Sequence, residues 1–226
     1  MTFLVLLPGL DGTGDLLAPL AGRLSDNHQV QIVAYPKDRS LGYGELVDLV
    51  SERLPDERFV ILGESFSGPI AAEIAAMERD RVAGLILAAS FVRHPMPKFL
   101  APLVHMLNLA WAPRSIVAAM LLGSAGDQET KAELSRAIAR VSGDVIKKRL
   151  HEVFRVDVRH QLSGITCPVL YLQGRNDRLI GNESLKEITK IHPECTVQEL
   201  DAPHMLLRTH VDQAAAVIDR FCNGLS

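Results

Sequence analysis

What this chain lacks narrows its reading before any motif is considered. Its 226 residues hold three cysteines, Cys167, Cys195 and Cys222, an odd number with no Cys-x-x-Cys pair. Neither a disulfide framework nor a structural zinc site is expected from that spacing, and a reducing, cytoplasmic setting is. No apolar run approaches the ~20 residues that a membrane-spanning helix requires, so no membrane span is expected. The first apolar stretch, Phe3-Leu4-Val5-Leu6-Leu7, has no basic flank before it and stops at Pro8-Gly9. It reads as a buried strand and not as a secretory leader.

Cationic blocks are also missing. The net charge is −3, and the densest basic run, Lys147-Lys148-Arg149, sits inside a helical pattern, so nucleic acid is not an expected partner. There is no His-Glu-x-x-His, and the eight histidines are scattered; no metal is expected. The glycines after the first strand fall as Gly-x-x-Gly-x-Gly with no Gly-Lys-Ser/Thr behind them, which matches neither a dinucleotide fingerprint nor a phosphate-binding loop. No cofactor follows from them. Internal repeats and low-complexity segments are absent.

What is present is alternation. Apolar strand candidates (Phe3 to Leu7, Val30 to Ala34, Phe59 to Leu62, Gly84 to Ala89, Val169 to Gln173, Thr196 to Leu200) are separated by amphipathic helix candidates. That pattern predicts an α/β fold, a mostly parallel six-stranded sheet flanked by helices. Asp15 is placed to cap the first helix, with Leu16, Leu17, Leu20 and Leu24 inward. Between residues 91 and 164 only helical signals occur, and the early part is rich in large apolar residues. The expectation is one domain, residues 1–226, with a core of 1–90 and 165–226 and a helical cap over 91–164. Simple packing onto the body explains some of that apolar surface; a cap whose inner face lines an apolar pocket over the serine is the functional alternative.

The chain is organised around Gly63-Glu64-Ser65-Phe66-Ser67-Gly68, which follows the strand candidate Phe59 to Leu62 and precedes a helix from Pro69. A serine at the tip of a sharp strand-to-helix turn projects its hydroxyl beyond the sheet, and such a turn tolerates only small neighbours. Gly63 and Ser67 supply them, although the usual pattern has glycine where Ser67 stands. The small residues of Pro8-Gly9-Leu10-Asp11-Gly12-Thr13-Gly14 can free backbone N–H groups to stabilise an oxyanion beside that turn. Two further reactive side chains follow strands: Asp177 after Gln173, and His204 after Leu200. In open parallel sheets that edge is where ligands bind, so Ser, Asp and His falling there in this order is a joint signal.

On these motifs the sequence resembles the α/β-hydrolase superfamily, in its serine esterase branch, over essentially the whole chain. It is similar in particular to compact bacterial pimeloyl-carrier-protein methyl ester esterases, through Leu-Pro-Gly-Leu-Asp-Gly-Thr-Gly and Gly-Glu-Ser-Phe-Ser-Gly-Pro. The resemblance implies an α/β-hydrolase fold, Ser65 as nucleophile, His204 as general base, Asp177 as the supporting carboxylate, and the N–H groups of Leu10 and Phe66 as the oxyanion hole. It implies no cofactor. The chain departs from larger members by starting directly at Phe3, without the two antiparallel strands that often come first.

Alternatives accompany several residues. Asp201 lies closer to His204 in sequence and competes with Asp177. His94 and His210 read as surface or capping residues, and Ser67 as a small turn residue. Glu64 is either paired with an arginine or solvated. The candidate substrate pocket comprises Asp11, Ser90, Phe91, Leu103, Leu107, Trp111 and Met205; Ser90 could instead simply end its strand. Arg136, Arg140, Lys147, Lys148, Arg149, Arg155 and Arg159 give the second half of the cap a basic bias, which suits either a solvated face or an acyl-carrier-protein-linked substrate. The expected activity is hydrolysis of a hydrophobic small-molecule carboxylic ester through an acyl-serine. Acyl transfer with the same residues, and a non-catalytic receptor on the same fold, are the rivals.

Overall fold

A computed structural model describes residues 1–94, 121–124 and 126–225. The strand β1 (Phe3–Leu7) is followed by a short 3₁₀ turn (Asp15–Leu17) and α1 (Ala18–Leu24); then come β2 (Gln29–Ile32), α2 (Tyr43–Ser51) and β3 (Phe59–Glu64). A second 3₁₀ turn (Ser65–Ser67) leads into α3 (Gly68–Met77) and β4 (Val82–Ala88). Among the described residues, α4 (Gln128–Ala139), α5 (Gly143–Val153) and α6 (Arg159–Ser163) precede β5 (Val169–Gly174). The chain closes with α7 (Asn182–Ile191), β6 (Thr196–Leu200), α8 (Leu206–Thr209) and α9 (Val211–Asn223).

The six strands form one sheet in the order β2-β1-β3-β4-β5-β6, and every pairing is parallel. This is the expected α/β-hydrolase sheet. Because successive strand residues point to opposite faces, a sheet covered on both sides needs apolar residues at every position. Val5, Leu7, Phe59, Ile61, Leu85, Leu87, Val169 and Tyr171 pack on one face with α2 and α3. Leu4, Leu6, Val60, Leu62, Ile86, Ala88, Leu170 and Leu172 pack on the other with α1 and α9. A third, smaller cluster joins Leu122, Leu134 and Ala137 to Leu16 and Met205, so α4 docks at the sheet's C-terminal edge.

The chain steps from β1 outward to β2 and then crosses back to β3 on the other side of β1. Strand order reverses there, and it is at such a switch point that open α/β sheets form the crevice in which ligands bind. Register makes the neighbourhood close: Leu7 lies opposite Gly63, so the loop after β1 and the turn after β3 start side by side. At the far side, Val158 N–H donates to Val92 O at 2.8 Å and Arg93 bridges antiparallel to Asp157, which ties together the two ends of the segment between β4 and β5.

One local expectation is corrected. Gly14, with φ +78°, holds the N-cap position before the 3₁₀ turn, and no side chain caps it. Asp15 instead pairs with Arg140, the C-cap residue of α4. A carboxylate one position too late cannot reach the free N–H groups of the first turn, and it holds the helical segment to the body.

Candidate active site

The turn at Ser65 is strained in the manner a projecting serine requires. Ser65 has φ 47°, a left-handed conformation that costs a non-glycine residue on the order of 1–3 kcal/mol. A Cβ at Gly63 would meet the Ser67 carbonyl at 2.5 Å, and one at Gly68 would collide with the Ser90 side chain. Glycine at 68 is therefore fixed by a serine two residues past the end of β4. Ser90 is fully buried, and its hydroxyl donates to Ser65 O at 2.6 Å while its own carbonyl accepts from Tyr171 Oη at 2.8 Å. It supports the turn from beneath, and its hydroxyl is spent there.

The loops after β5 and β6 pack backbone against backbone. Gly174 leaves no room for a Cβ against the Ala202 and Pro203 carbonyls, Arg175 N–H donates to Leu200 O at 2.8 Å, and Asn176 N–H donates to Ala202 O at 3.0 Å. This apposition brings Asp177 to His204. Asp177 Oδ2 lies 2.8 Å from His204 Nδ1, while Oδ1 accepts from the N–H groups of Leu179 at 2.8 Å and Ile180 at 2.9 Å. His204 Nε2 lies 2.8 Å from Ser65 Oγ. An ionised carboxylate only accepts, so Nδ1 carries the imidazole proton and Nε2 is left as the acceptor for the serine hydroxyl. Ser65, Asp177 and His204, separated by 112 and 27 residues in the chain, form one continuous hydrogen-bonded chain. Asp201 is not part of it: its exposed carboxylate accepts from Asn176 Nδ2 at 2.7 Å.

Among the described residues no hydrogen bond engages the N–H of Leu10 or Phe66, while their neighbours are committed. Gly9 N–H donates to Glu64 Oε2 at 3.2 Å, Gly12 N–H to Gly9 O at 3.0 Å, and Thr13 N–H to Asp11 Oδ2 at 2.8 Å. Tyr43 Oη fixes the Phe66 carbonyl at 3.0 Å, and its ring stacks on that of Phe66 at 4.8 Å.

Glu64 is neither solvated nor paired with an arginine. It is buried and accepts from Gly9 N–H. Burial, reinforced by the nearby Asp11 carboxylate, pushes its carboxyl up to about 7, against the opposing pull of His204 and the Gly9 N–H. Ser67 takes the position where glycine is usual, and its hydroxyl donates to Pro8 O. It is a structural group, not a second nucleophile.

Of the remaining candidates, Asp11 organises its own loop, since Oδ2 also accepts from Thr13 Oγ1 at 2.5 Å. Phe91 is buried with its ring 6.4 Å from His94, which in turn lies 4.5 Å from Phe154. Met205 is buried beside His204 and joins the cluster that seats α4. Leu103, Leu107 and Trp111 lie outside the described residues. His210 precedes α9 at its N-cap position. Burial pushes the thiols of Cys167 and Cys195 up to about 11 and that of Cys222 up to about 12, which leaves them un-ionised and unreactive near neutrality. Among the described residues no group of three or more His, Cys, Asp or Glu could hold a metal ion, and no helix is long and apolar enough to cross a membrane.

The basic face is smaller than the sequence implies. Arg149 is 2% exposed and cannot serve a surface. Arg140 pairs with Asp15, Lys147 with Asp144, Lys148 with Glu152, and Arg159 with Asp157 and Glu187. Helical periodicity held the missed signal, because Arg149 stands four residues after the buried Val145 and so shares its inward face.

A parallel six-stranded sheet carrying a serine on a strained strand-to-helix turn, with aspartate and histidine after its last two strands, defines an α/β hydrolase. Residues 41–213 match the family described as serine aminopeptidase, S33 (Hydrolase_4), and the chain belongs to that hydrolase family. It is 26% identical over 245 aligned residues to the pimeloyl-[acyl-carrier protein] methyl ester esterase of Proteus mirabilis (strain HI4320), covering 100% of this chain and 94% of the relative. The protein of the same name from Aliivibrio salmonicida (strain LFI1238) is 24% identical, covering 96% and 91%. Among solved structures, the esterase EaEST from Exiguobacterium antarcticum superposes with a TM-score of 0.85 at 15% identity, covering 98% of this chain and 91% of that one. The enol-lactonase from Burkholderia xenovorans LB400 gives 0.82 at 18%, covering 98% and 91%. At those identities the two structures share the fold alone.

Proposed function

We propose that this enzyme hydrolyses a hydrophobic carboxylic ester through an acyl-serine intermediate. The observation that carries this reading is the pair of 2.8 Å contacts linking Asp177, His204 and Ser65 at the strained turn. In the first step Ser65 Oγ attacks the ester carbonyl and gives its proton to His204 Nε2. Asp177 stays ionised, accepts from Nδ1–H and stabilises the imidazolium. The carbonyl oxygen becomes an oxyanion facing the uncommitted N–H groups of Leu10 and Phe66; one such donor is worth roughly 10²–10³ in turnover. The tetrahedral intermediate collapses as the imidazolium protonates the leaving alkoxide. Water, deprotonated by His204, then releases the acid and restores Ser65.

The helical segment 91–164 acts as a cap that selects the hydrophobic part of the substrate. Its support is the seating of Leu122, Leu134 and Ala137 on Leu16 and Met205, one residue from His204. The two relatives named above are esterases of a methyl ester on an acyl-carrier protein, and we extend that substrate class to this chain.

The test is hydrolysis of p-nitrophenyl esters from acetate to laurate by wild type and Ser65→Ala in parallel, followed by a carrier protein bearing a methyl-ester acyl chain. Turnover by wild type and none by the variant is expected, with loss of one methylene in mass from the loaded carrier. Equal rates for the two proteins would overturn the serine assignment. An unchanged carrier mass would confine the activity to small esters.

A further inference from the structure

Arg149 occupies a position that its sequence neighbours Lys147 and Lys148 do not anticipate. It projects from α5 in the helical segment and reaches the loop after β1, 139 residues earlier in the chain. Its Nη1 donates to the carbonyls of Leu10 at 2.8 Å and Asp11 at 2.7 Å, and its Nη2 donates to Pro36 O at 2.9 Å. The guanidinium carbon lies 5.5 Å from the centre of the Tyr35 ring. Gly12 makes room for it: φ there is +69°, and a Cβ would sit 2.5 Å from Arg149 Nη1. Among the described residues Arg149 has no carboxylate partner within salt-bridge distance. The three carbonyls, the aromatic face and the nearby Asp11 carboxylate compensate its buried charge.

Two of those carbonyls, of Leu10 and Asp11, belong to the peptide planes that immediately follow the N–H that would face an oxyanion. The orientation of the Leu10 N–H is set by the peptide planes on either side of it. The N–H's own plane, which it shares with the Gly9 carbonyl, is held by the Gly12 to Gly9 turn, and the preceding one by Glu64 through Gly9 N–H. Among the described residues, Arg149 is the side chain that holds the following two. Glu64 belongs to β3 and Arg149 to the helical segment, so the loop is gripped from both sides of the crevice. A planar fork that serves successive carbonyls with one nitrogen and a third with another is a geometry an ammonium cannot reproduce.

We infer that Arg149 is a positioning residue for the oxyanion hole, delivered by the helical segment, so that docking of α5 onto the body completes the Leu10 N–H donor. This rests on the acyl-serine reading above. Because Arg149 touches no reacting atom, its loss is expected to lower kcat and leave substrate binding nearly intact. Misplacing one donor corresponds to a fall on the order of 10²-fold.

The test uses the full chain, with Arg149→Met, which keeps much of the stem volume and removes every donor, and Arg149→Lys, which keeps the charge. Each is assayed on a matched pair of substrates, an oxoester and its thionoester. Sulfur is the larger and weaker acceptor, so an ordered pair of N–H groups discriminates in favour of oxygen, and a disordered pair does not. We expect kcat to fall about 10²-fold in Arg149→Met and less in Arg149→Lys. KM should stay within about 3-fold, and the oxo-to-thiono rate ratio should collapse toward that of the uncatalysed reaction. If Arg149→Met does not fold, Arg149→Lys alone decides by the same two readings. Wild-type kcat and an unchanged ratio in a folded variant would overturn the inference, even with esterase activity intact. Ester turnover that survives Ser65→Ala would instead sink the underlying mechanism, and the two failures are separate.

Discussion

The hydroxyls of Tyr35 and Ser67 lie 2.6 Å apart, and a third group fixes the direction of that bond. Ser67 has one proton, and it is given to the Pro8 carbonyl, which cannot donate. Tyr35 is therefore the donor and Ser67 the acceptor. The usual glycine at this position could make neither bond. The departure from the common motif is thus a strut between the turn that carries Ser65 and the loop that carries Leu10.

The asymmetry has a measurable consequence. Ser67→Ala strands both the Tyr35 hydroxyl and the Pro8 carbonyl in a buried place and is expected to cost ~1–3 kcal/mol. Tyr35→Phe removes only a donor and leaves the Ser67 to Pro8 bond intact, at about 1 kcal/mol. Urea denaturation of both variants checks it. Equal losses would mean that the proton assignment is wrong.

Glu64 predicts a pH dependence of stability. Its carboxyl is raised from 4.5 to about 7 in the folded protein, first by burial and then by Asp11. Between those values the folded protein holds a proton that the unfolded chain has released, so stability falls as pH rises through that window and this contribution levels off above it. Glu64→Gln keeps an acceptor for Gly9 N–H and removes the titration. Thermal melts from pH 4.5 to 8 should decline less in the variant than in wild type; parallel curves would contradict the assignment.

Asp177→Asn separates orientation from structure. Asp177 Oδ1 serves the Leu179 and Ile180 N–H groups, and the asparagine oxygen can keep those bonds. Its amide then faces His204 Nδ1 with a donor and imposes the wrong tautomer. The expected result is a fall in kcat on the order of 10⁴-fold with little change in melting temperature. A loss below about tenfold would show that His204 does not need this partner.

The sequence made some of this legible and hid the rest for identifiable reasons. Strands Phe3–Leu7 and Thr196–Leu200 have the bounds read from the sequence, and the fold class follows from the alternation. Ser65, Asp177 and His204 could be singled out because each follows a strand, and a parallel sheet gathers strand ends on one edge. Arg149 could not be read from its neighbours, since Lys147 and Lys148 are surface residues and only the helical phase from Val145 points it inward. Glu64 was equally opaque. Its burial comes from the loop after β1, 55 residues away, and no local pattern encodes a contact of that range. Ser90 shows the same limit: it supports the turn because Gly68, 22 residues earlier, leaves space for it.

The most direct test of the central claim is to catch the intermediate. Wild-type enzyme mixed with a p-nitrophenyl ester is acid-quenched within the first turnover and examined by intact mass and peptide mapping. The account predicts a burst of p-nitrophenolate equal to the enzyme concentration and a single acyl group on the peptide containing Ser65. Sustained turnover with no covalent acyl group, or with the acyl group on any other residue, would contradict it.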